Sequence, residues 1–380
     1  MKHLFNDMLG EATRLTQGGH LQAATELIQR TLRGEGPAAQ APAPARAEGG
    51  LVIDAETRVI DDAPMPDAQA PKTPKAPQPS PAETAASTEQ WLQASHTHQG
   101  RQLAYRLYVP PTRPDQTGPR PLILMLHGCT QGPDDFAAGT RMNALAREAG
   151  VLVLYPEQTQ HANAQKCWNW FKTQHQQHGR GEPALLASLT RQVMADHGVD
   201  ASRVYVAGLS AGGAMADIMG RTYPDLFTAV GVHSGLAAGS AGSLPAALGA
   251  MRSGAQAGTA SGPAVRPVIV FHGDADSTVH PANGTAVAES ARSAQSAPGG
   301  PGGPGAAQVT TGRAPNQQRF TRTVHPGADG SAVVEHWLLH GTGHAWSGGS
   351  AAGSYTAPGG VDASAEMLRF FLSHQRAPVN

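Results

Sequence analysis

The stretch Val204-Tyr205-Val206-Ala207-Gly208-Leu209-Ser210-Ala211-Gly212-Gly213-Ala214-Met215 constrains this chain more than any other. An apolar β-type run ends at Gly208, Ser210 falls in a tight turn, and a small-residue helix starts at Ala211. Gly-x-Ser-x-Gly in a strand–turn–helix context lifts a serine hydroxyl above a sheet edge. The flanking glycines permit strained backbone and close helix packing. The helix N-terminus sets free N–H groups beside any oxyanion that develops there. The spacing predicts Ser210 as a nucleophile; the alternative is a structural turn.

A serine hydroxyl is a weak nucleophile at neutral pH and needs a base and a carboxylate to orient that base. Downstream, Val268-Ile269-Val270-Phe271-His272-Gly273-Asp274-Ala275-Asp276-Ser277-Thr278-Val279 runs from a buried strand into a loop with two carboxylates. Asp276 is the expected acid, and Asp274 is expected to shape the turn by bonding its own backbone. His344, in His340-Gly341-Thr342-Gly343-His344-Ala345-Trp346-Ser347-Gly348-Gly349, follows a strand and lies in a glycine-rich loop suited to a base. His272, His336 and His340 lie on or beside predicted strands and read as structural histidines.

An oxyanion hole takes two backbone donors. Ala211 supplies the first. The second is expected from Cys129, in His127-Gly128-Cys129-Thr130-Gln131 after the strand Leu122–Leu126; a plain strand-ending turn is the alternative. The other cysteine, Cys167, lies in Gln165-Lys166-Cys167-Trp168-Asn169-Trp170-Phe171. Both cysteines fall on loops at one sheet edge. A Cys129–Cys167 disulfide is expected, against two separate buried thiols. Trp168, Trp170 and Trp346 are candidates for an apolar floor under an ester chain, or for core.

The rest of the chain sets limits. Its 380 residues hold one large domain with appendages, and a net charge of −1 favours neither nucleic acid nor a membrane surface. No apolar run is long enough to span a bilayer. Two cysteines make neither a disulfide-rich scaffold nor a four-thiolate metal site. Residues 2–34 read as two short amphipathic helices around Gly18-Gly19, a docking or self-association element or one that sits on a hydrophobic granule. Residues 35–90 are Ala/Pro-rich and read as a disordered linker. The catalytic domain spans 91–380, with a flexible Gly/Pro loop at about 298–306. Strands at Leu103–Val109, Leu122–Leu126, Val151–Tyr155, Val204–Ala207, Ala229–His233, Val268–Phe271, Arg319–Val324 and Val333–Leu339 are expected. Helices at Phe136–Ala149, Ala184–His197, Ala211–Tyr223, Pro281–Ala297 and Ala363–His374 alternate with them. That alternation predicts an α/β fold with a doubly wound, mostly parallel sheet.

Together the five motifs, in this order over roughly 100–375, resemble the polyhydroxybutyrate depolymerase family of esterases, the extracellular type with a short catalytic domain. The resemblance implies an α/β-hydrolase fold, a triad of Ser210, Asp276 and His344, an oxyanion loop at Cys129, and no metal or organic cofactor. It implies an ester substrate: poly- or oligo-hydroxybutyrate, or the feruloyl and acetyl-xylan esters that the same family also cleaves. A rival of another class is a non-catalytic scaffold docking through 2–34. Resemblance points to the extracellular region, while the N-terminus shows no recognisable signal peptide, which leaves a cytoplasmic location as the alternative. The chain also reads as having no separate polymer-binding module, which points to oligomers, amorphous polymer or small esters.

Overall fold

The computed structural model describes residues 88–113, 118–254, 266–295 and 306–377. The expected helices in 2–34, the linker through 87 and most of the Gly/Pro loop fall outside these residues. The described part is organised on one sheet of ten strands. Six of them are mutually parallel and central: β3 (Arg120–Leu126), β4 (Leu152–Pro156), β5 (Val199–Leu209), β6 (Ala229–His233), β7 (Val268–Gly273) and β10 (Ala332–Leu339). Antiparallel strands extend both sides: β1 (Gln90–His98) and β2 (Arg101–Val109) beyond β4, and β9 (Arg319–Pro326) and β8 (Gln308–Arg313) beyond β10. The spatial order is β1-β2-β4-β3-β5-β6-β7-β10-β9-β8.

The central strands are largely apolar on both faces because helices cover both; buried Glu335 of β10, paired with Arg322 and Arg369, is an exception. Successive side chains point to opposite faces, and the core divides accordingly. Leu122, Leu124 and Leu126 pack with α3 (Gly181–His197), α4 (Ala211–Thr222), α5 (Leu244–Ser253) and α6 (Ala282–Gln295). Ile123 and Met125 pack on the other side with α1 (Pro133–Thr140), α2 (Met142–Ala149) and α7 (Ala363–Leu372). Phe370 and Phe371 of α7 are fully buried, and removing either ring would cost about 3–5 kcal/mol. This is the doubly wound α/β arrangement that the alternation predicts. A further short ladder pairs β11 (Trp346–Ser347) with β12 (Thr356–Ala357). No helix among the described residues is long and apolar enough to cross a membrane.

Several expectations change in detail. The single helix expected over 136–149 is two, because Arg141 adopts a left-handed φ of 56° between α1 and α2. Its guanidinium bonds Gly348 O and the Asp362 carboxylate, so tertiary contacts hold the break. The strands β1 and β8 and the helix α5 were not expected. The last residue of the expected linker, Gln90, is the first of β1, and Glu89 accepts a hydrogen bond from the Tyr108 hydroxyl at 2.9 Å.

Candidate active site

Because the six central strands are parallel, the segments that leave β3, β5, β7 and β10 all emerge at one sheet edge. Those segments carry Cys129, Ser210, Asp276 and His344 in turn. Ser210 joins β5 to α4 with φ 56° and ψ −118°, a conformation that costs a non-glycine residue about 1–3 kcal/mol. Its N–H donates to His233 O at 2.9 Å, and its carbonyl accepts from Ala214 in the first turn of α4. The flanking glycines are required by contact. A Cβ on Gly208 would lie 2.4 Å from the Gly212 carbonyl carbon, and one on Gly212 would lie 2.0 Å from Leu126 O.

Asp276 and His344 are joined at 2.8 Å, Oδ2 to Nδ1. A carboxylate only accepts, so Nδ1 carries the proton and the other ring nitrogen, Nε2, is left as a base. The second carboxylate oxygen accepts the N–H groups of Thr278 (2.9 Å) and Val279 (2.8 Å). His272, wholly buried, donates from Nε2 to Val279 O at 2.8 Å and brings the same nitrogen within 3.5 Å of Asp276 Oδ2. Burial by itself would raise the Asp276 pKa. The facing His272 and His344 and the Val279 N–H outweigh it and hold this carboxyl well below the usual carboxylate range. Asp274 is turned elsewhere. It pairs with His340 Nδ1 at 2.8 Å and accepts the Gly341 N–H at 2.6 Å, so it clamps the start of the His344 loop rather than its own turn.

The loop after β3 is fixed amide by amide. Gly128 N–H donates to Gln131 Oε1 at 2.9 Å, and Thr130 N–H donates to Gln165 O at 2.6 Å. The N–H of Cys129 lies between these two committed donors. His127 donates from Nδ1 to Gly128 O and accepts the Gln158 N–H at Nε2, and burial pushes its imidazole down to about 4. Cys129 and Cys167 form a disulfide, which ties this loop to the aromatic segment. Buried Glu182 holds that segment from behind: it accepts the Asn169 N–H at 2.7 Å, the Asn169 side chain at 2.6 Å and Gln158 Nε2 at 2.7 Å.

The three tryptophans are core residues. Trp168 and Trp346 are each 1% exposed and Trp170 is 5% exposed. Trp168 donates to His127 O and Trp346 to Ser364 Oγ, so both support the loops from inside and neither presents an open floor. Two positions that the sequence motifs leave without a role stand out. Gln131 holds Gly128 with its oxygen and Asp135 and Ser354 with its nitrogen. Tyr355 lies beside Thr130. Gln131 closes the His127–Gln131 motif and stands four residues before Asp135 of α1, which are the sequence signals for the first. Nothing near Tyr355 in the sequence marks it.

The chain is similar to known proteins over much of this domain. The family model described as "Esterase PHB depolymerase" matches residues 103–294. Poly(3-hydroxyalkanoate) depolymerase C of Paucimonas lemoignei is 32% identical over 238 residues, covering 59% of this chain and 54% of that protein. Feruloyl esterase B of Neurospora crassa is 35% identical over 138 residues, covering 35% of this chain and 46% of that protein. The chain spans about half the length of the curated relatives it matches. Among solved structures, the acetyl xylan esterase from Aspergillus awamori superposes with a TM-score of 0.58 at 19% identity, over 74% of this chain and 98% of that one, a likeness of fold.

Proposed function

We propose that this chain, which belongs to the PHB depolymerase family of esterases and is a carboxylic ester hydrolase, cleaves hydroxyalkanoate esters through an acyl-enzyme on Ser210. The observation that carries the reading is the 2.8 Å Asp276–His344 pair at the same sheet edge as a serine held at positive φ. His344 Nε2 takes the Ser210 proton as Oγ attacks the ester carbonyl. The oxyanion is held by the N–H groups of Ala211 and Cys129. The imidazolium, stabilised by the Asp276 carboxylate, returns its proton to the leaving alcohol as the carbon–oxygen bond breaks. Water then enters, gives its proton to His344 and attacks the acyl carbon, and Ser210 Oγ leaves with the proton that His344 returns. Asp276 fixes the tautomer throughout, which is why an uncharged partner in its place would fail.

Two features support hydroxyalkanoate as the acyl class, and a third bears on the compartment. The family is described by that polymer, and the relative from Paucimonas lemoignei carries it in its name. The residues that flank Ser210 in the turn, Gly208, Leu209, Ala211 and Gly212, are uncharged, and all but Leu209 are small. The disulfide fits an oxidising compartment, where such bonds persist. The feruloyl esterase relative names the second reading, an aromatic acyl group. The test is a substrate panel: 3-hydroxybutyrate dimer and trimer, amorphous polymer film, a methyl ferulate and an acetylated xylan. The highest kcat/KM is expected on the hydroxybutyrate oligomers. A preference for ferulate or acetyl-xylan by tenfold or more, roughly the discrimination that a pocket makes against a mismatched group, would replace it.

A further inference from the structure

We propose that Tyr355 is a substrate-contact residue whose ring forms the wall for the aliphatic acyl chain of the ester, and so sets acyl preference; this rests on the reading of Ser210 as nucleophile. Tyr355 links the two loops that the reaction uses. Its carbonyl accepts the N–H of Trp346 at 2.7 Å, and Trp346 is two residues past His344. Its hydroxyl lies 3.1 Å from Thr130 Oγ1, and Thr130 follows Cys129. The Thr130 hydroxyl spends its own proton on Cys129 O at 2.6 Å, so Tyr355 is the donor in that pair. With its backbone at the base loop and its side-chain tip at the oxyanion loop, the ring spans from one loop to the other.

The fold invests in that placement. Tyr355 has φ 51° and Thr130 has φ 65°, left-handed values that bulky or β-branched residues rarely adopt. The residue before it, Ser354, is clamped to the other loop. Asp135 accepts its N–H at 2.8 Å and its hydroxyl at 2.6 Å, and Gln131 Nε2 donates to its carbonyl at 3.1 Å. Trp168 and Trp346, which brace the same loops, are buried. Tyr355 instead remains 44% exposed. Backbone strain kept at a surface site marks a position maintained for what it meets. With its hydroxyl engaged, the ring offers an apolar face. Its tip is anchored beside the amide that grips the carbonyl oxygen, so that face lies along the acyl chain, while the alcohol departs toward His344. Short uncharged aliphatic acyl units, such as hydroxybutyryl, fit such a wall.

The experiment compares kcat/KM for p-nitrophenyl butyrate and p-nitrophenyl acetate in the full chain, in Tyr355→Ala and in Tyr355→Phe. The ratio of the two is independent of the fraction of protein folded. Tyr355→Ala is expected to lower the butyrate-to-acetate ratio by about tenfold or more, and Tyr355→Phe, which keeps the ring, is expected to retain it. An unchanged ratio in Tyr355→Ala overturns the proposal. So does an equal loss in Tyr355→Phe, since the hydroxyl anchor and not the ring would then matter. A small fluorophosphonate mapped by mass spectrometry separates the two readings. If wild type is not labelled on Ser210, the nucleophile assignment fails; if Ser210 is labelled and the ratio does not move, only the Tyr355 proposal fails.

Discussion

Asp276 and His344, 68 residues apart in sequence, share one hydrogen bond of 2.8 Å, while Asp274, two residues earlier, is bonded to His340 at the same length. Two carboxylate–imidazole pairs thus stand side by side at the ends of β7 and β10. They differ in burial: the Asp276 side chain is sealed, and the Asp274 and His340 side chains reach solvent.

That difference predicts unequal mutational cost. Asp276→Asn leaves His344 free to take the wrong tautomer and should lower kcat by about 10⁴-fold. Asp274→Asn removes a clamp that is partly screened by water and should lower kcat by no more than about tenfold. Steady-state kinetics on a soluble p-nitrophenyl ester checks both. Similar, mild losses would assign the orienting carboxylate elsewhere.

The disulfide gives a second expectation. Cys129 and Cys167 are 38 residues apart, and closing a loop of that length stabilises by up to about 4 kcal/mol. The bond also holds the loop whose Cys129 N–H is the proposed second oxyanion donor. Reductant should therefore lower both the unfolding midpoint and kcat. Intact mass after alkylation of the native protein should show no modified thiol until reductant is added; two freely alkylated cysteines would contradict the pairing.

Acid should destabilise the fold through buried imidazoles. Burial pushes His127 and His336 down to about 4 and His233 down to about 3, from an ordinary value of 6.5. In each case the unfolded chain takes up the proton first. The stability is complete above 6.5, falls as pH drops below that value, and levels near the folded value, with a slope of about 1.4 kcal/mol per pH unit for each group. Urea unfolding at about pH 7.5 and about pH 5 measures it. His127→Gln should flatten the slope by one such group, and an unchanged slope would show that His127 does not contribute.

Gly212 should tolerate no side chain. A Cβ there meets the Leu126 carbonyl oxygen at 2.0 Å, a backbone atom in a central strand that has no room to move. Gly212→Ala is expected to cost about 3 kcal/mol or more. Gly249, whose Cβ would meet open space, is the control within a helix and should gain or lose little on conversion to Ala. Equal stability of both variants in denaturant would show that the β3–α4 approach is looser than described.

What the sequence discloses follows from which forces leave a local trace. The central strands are legible because burial on both faces demands continuous apolar runs such as Leu122–Leu126. The turn at Ser210 is legible because its glycines answer collisions with Leu126 and Gly212 that only one backbone path creates. The outer strands are not. β1 reads QWLQASHTH and β8 reads QVTTGR, with no fully buried residue in either, so pairing with β2 and β9 holds them while no apolar pattern announces them. The helix α5 goes unmarked although Ser243 caps it and Pro245 stands in its first turn, because its Ala/Gly-rich neighbourhood resembles loop. Near the site, Asp276 and His344 stand out by motif order. The clamp of Gln131, Asp135 and Ser354, and the placement of Tyr355, depend on contacts across more than 200 residues, which no local spacing encodes.

Ser210 is the group on which every proposed step depends, and one comparison tests its role directly. Wild type and Ser210→Ala are assayed on p-nitrophenyl butyrate, with near-UV circular dichroism confirming that both are folded. The predicted result is a native spectrum with kcat reduced by about 10⁴-fold or more. A folded Ser210→Ala protein that keeps a tenth of the wild-type rate, itself roughly a thousandfold above the value predicted, would contradict the assignment of Ser210 as the nucleophile.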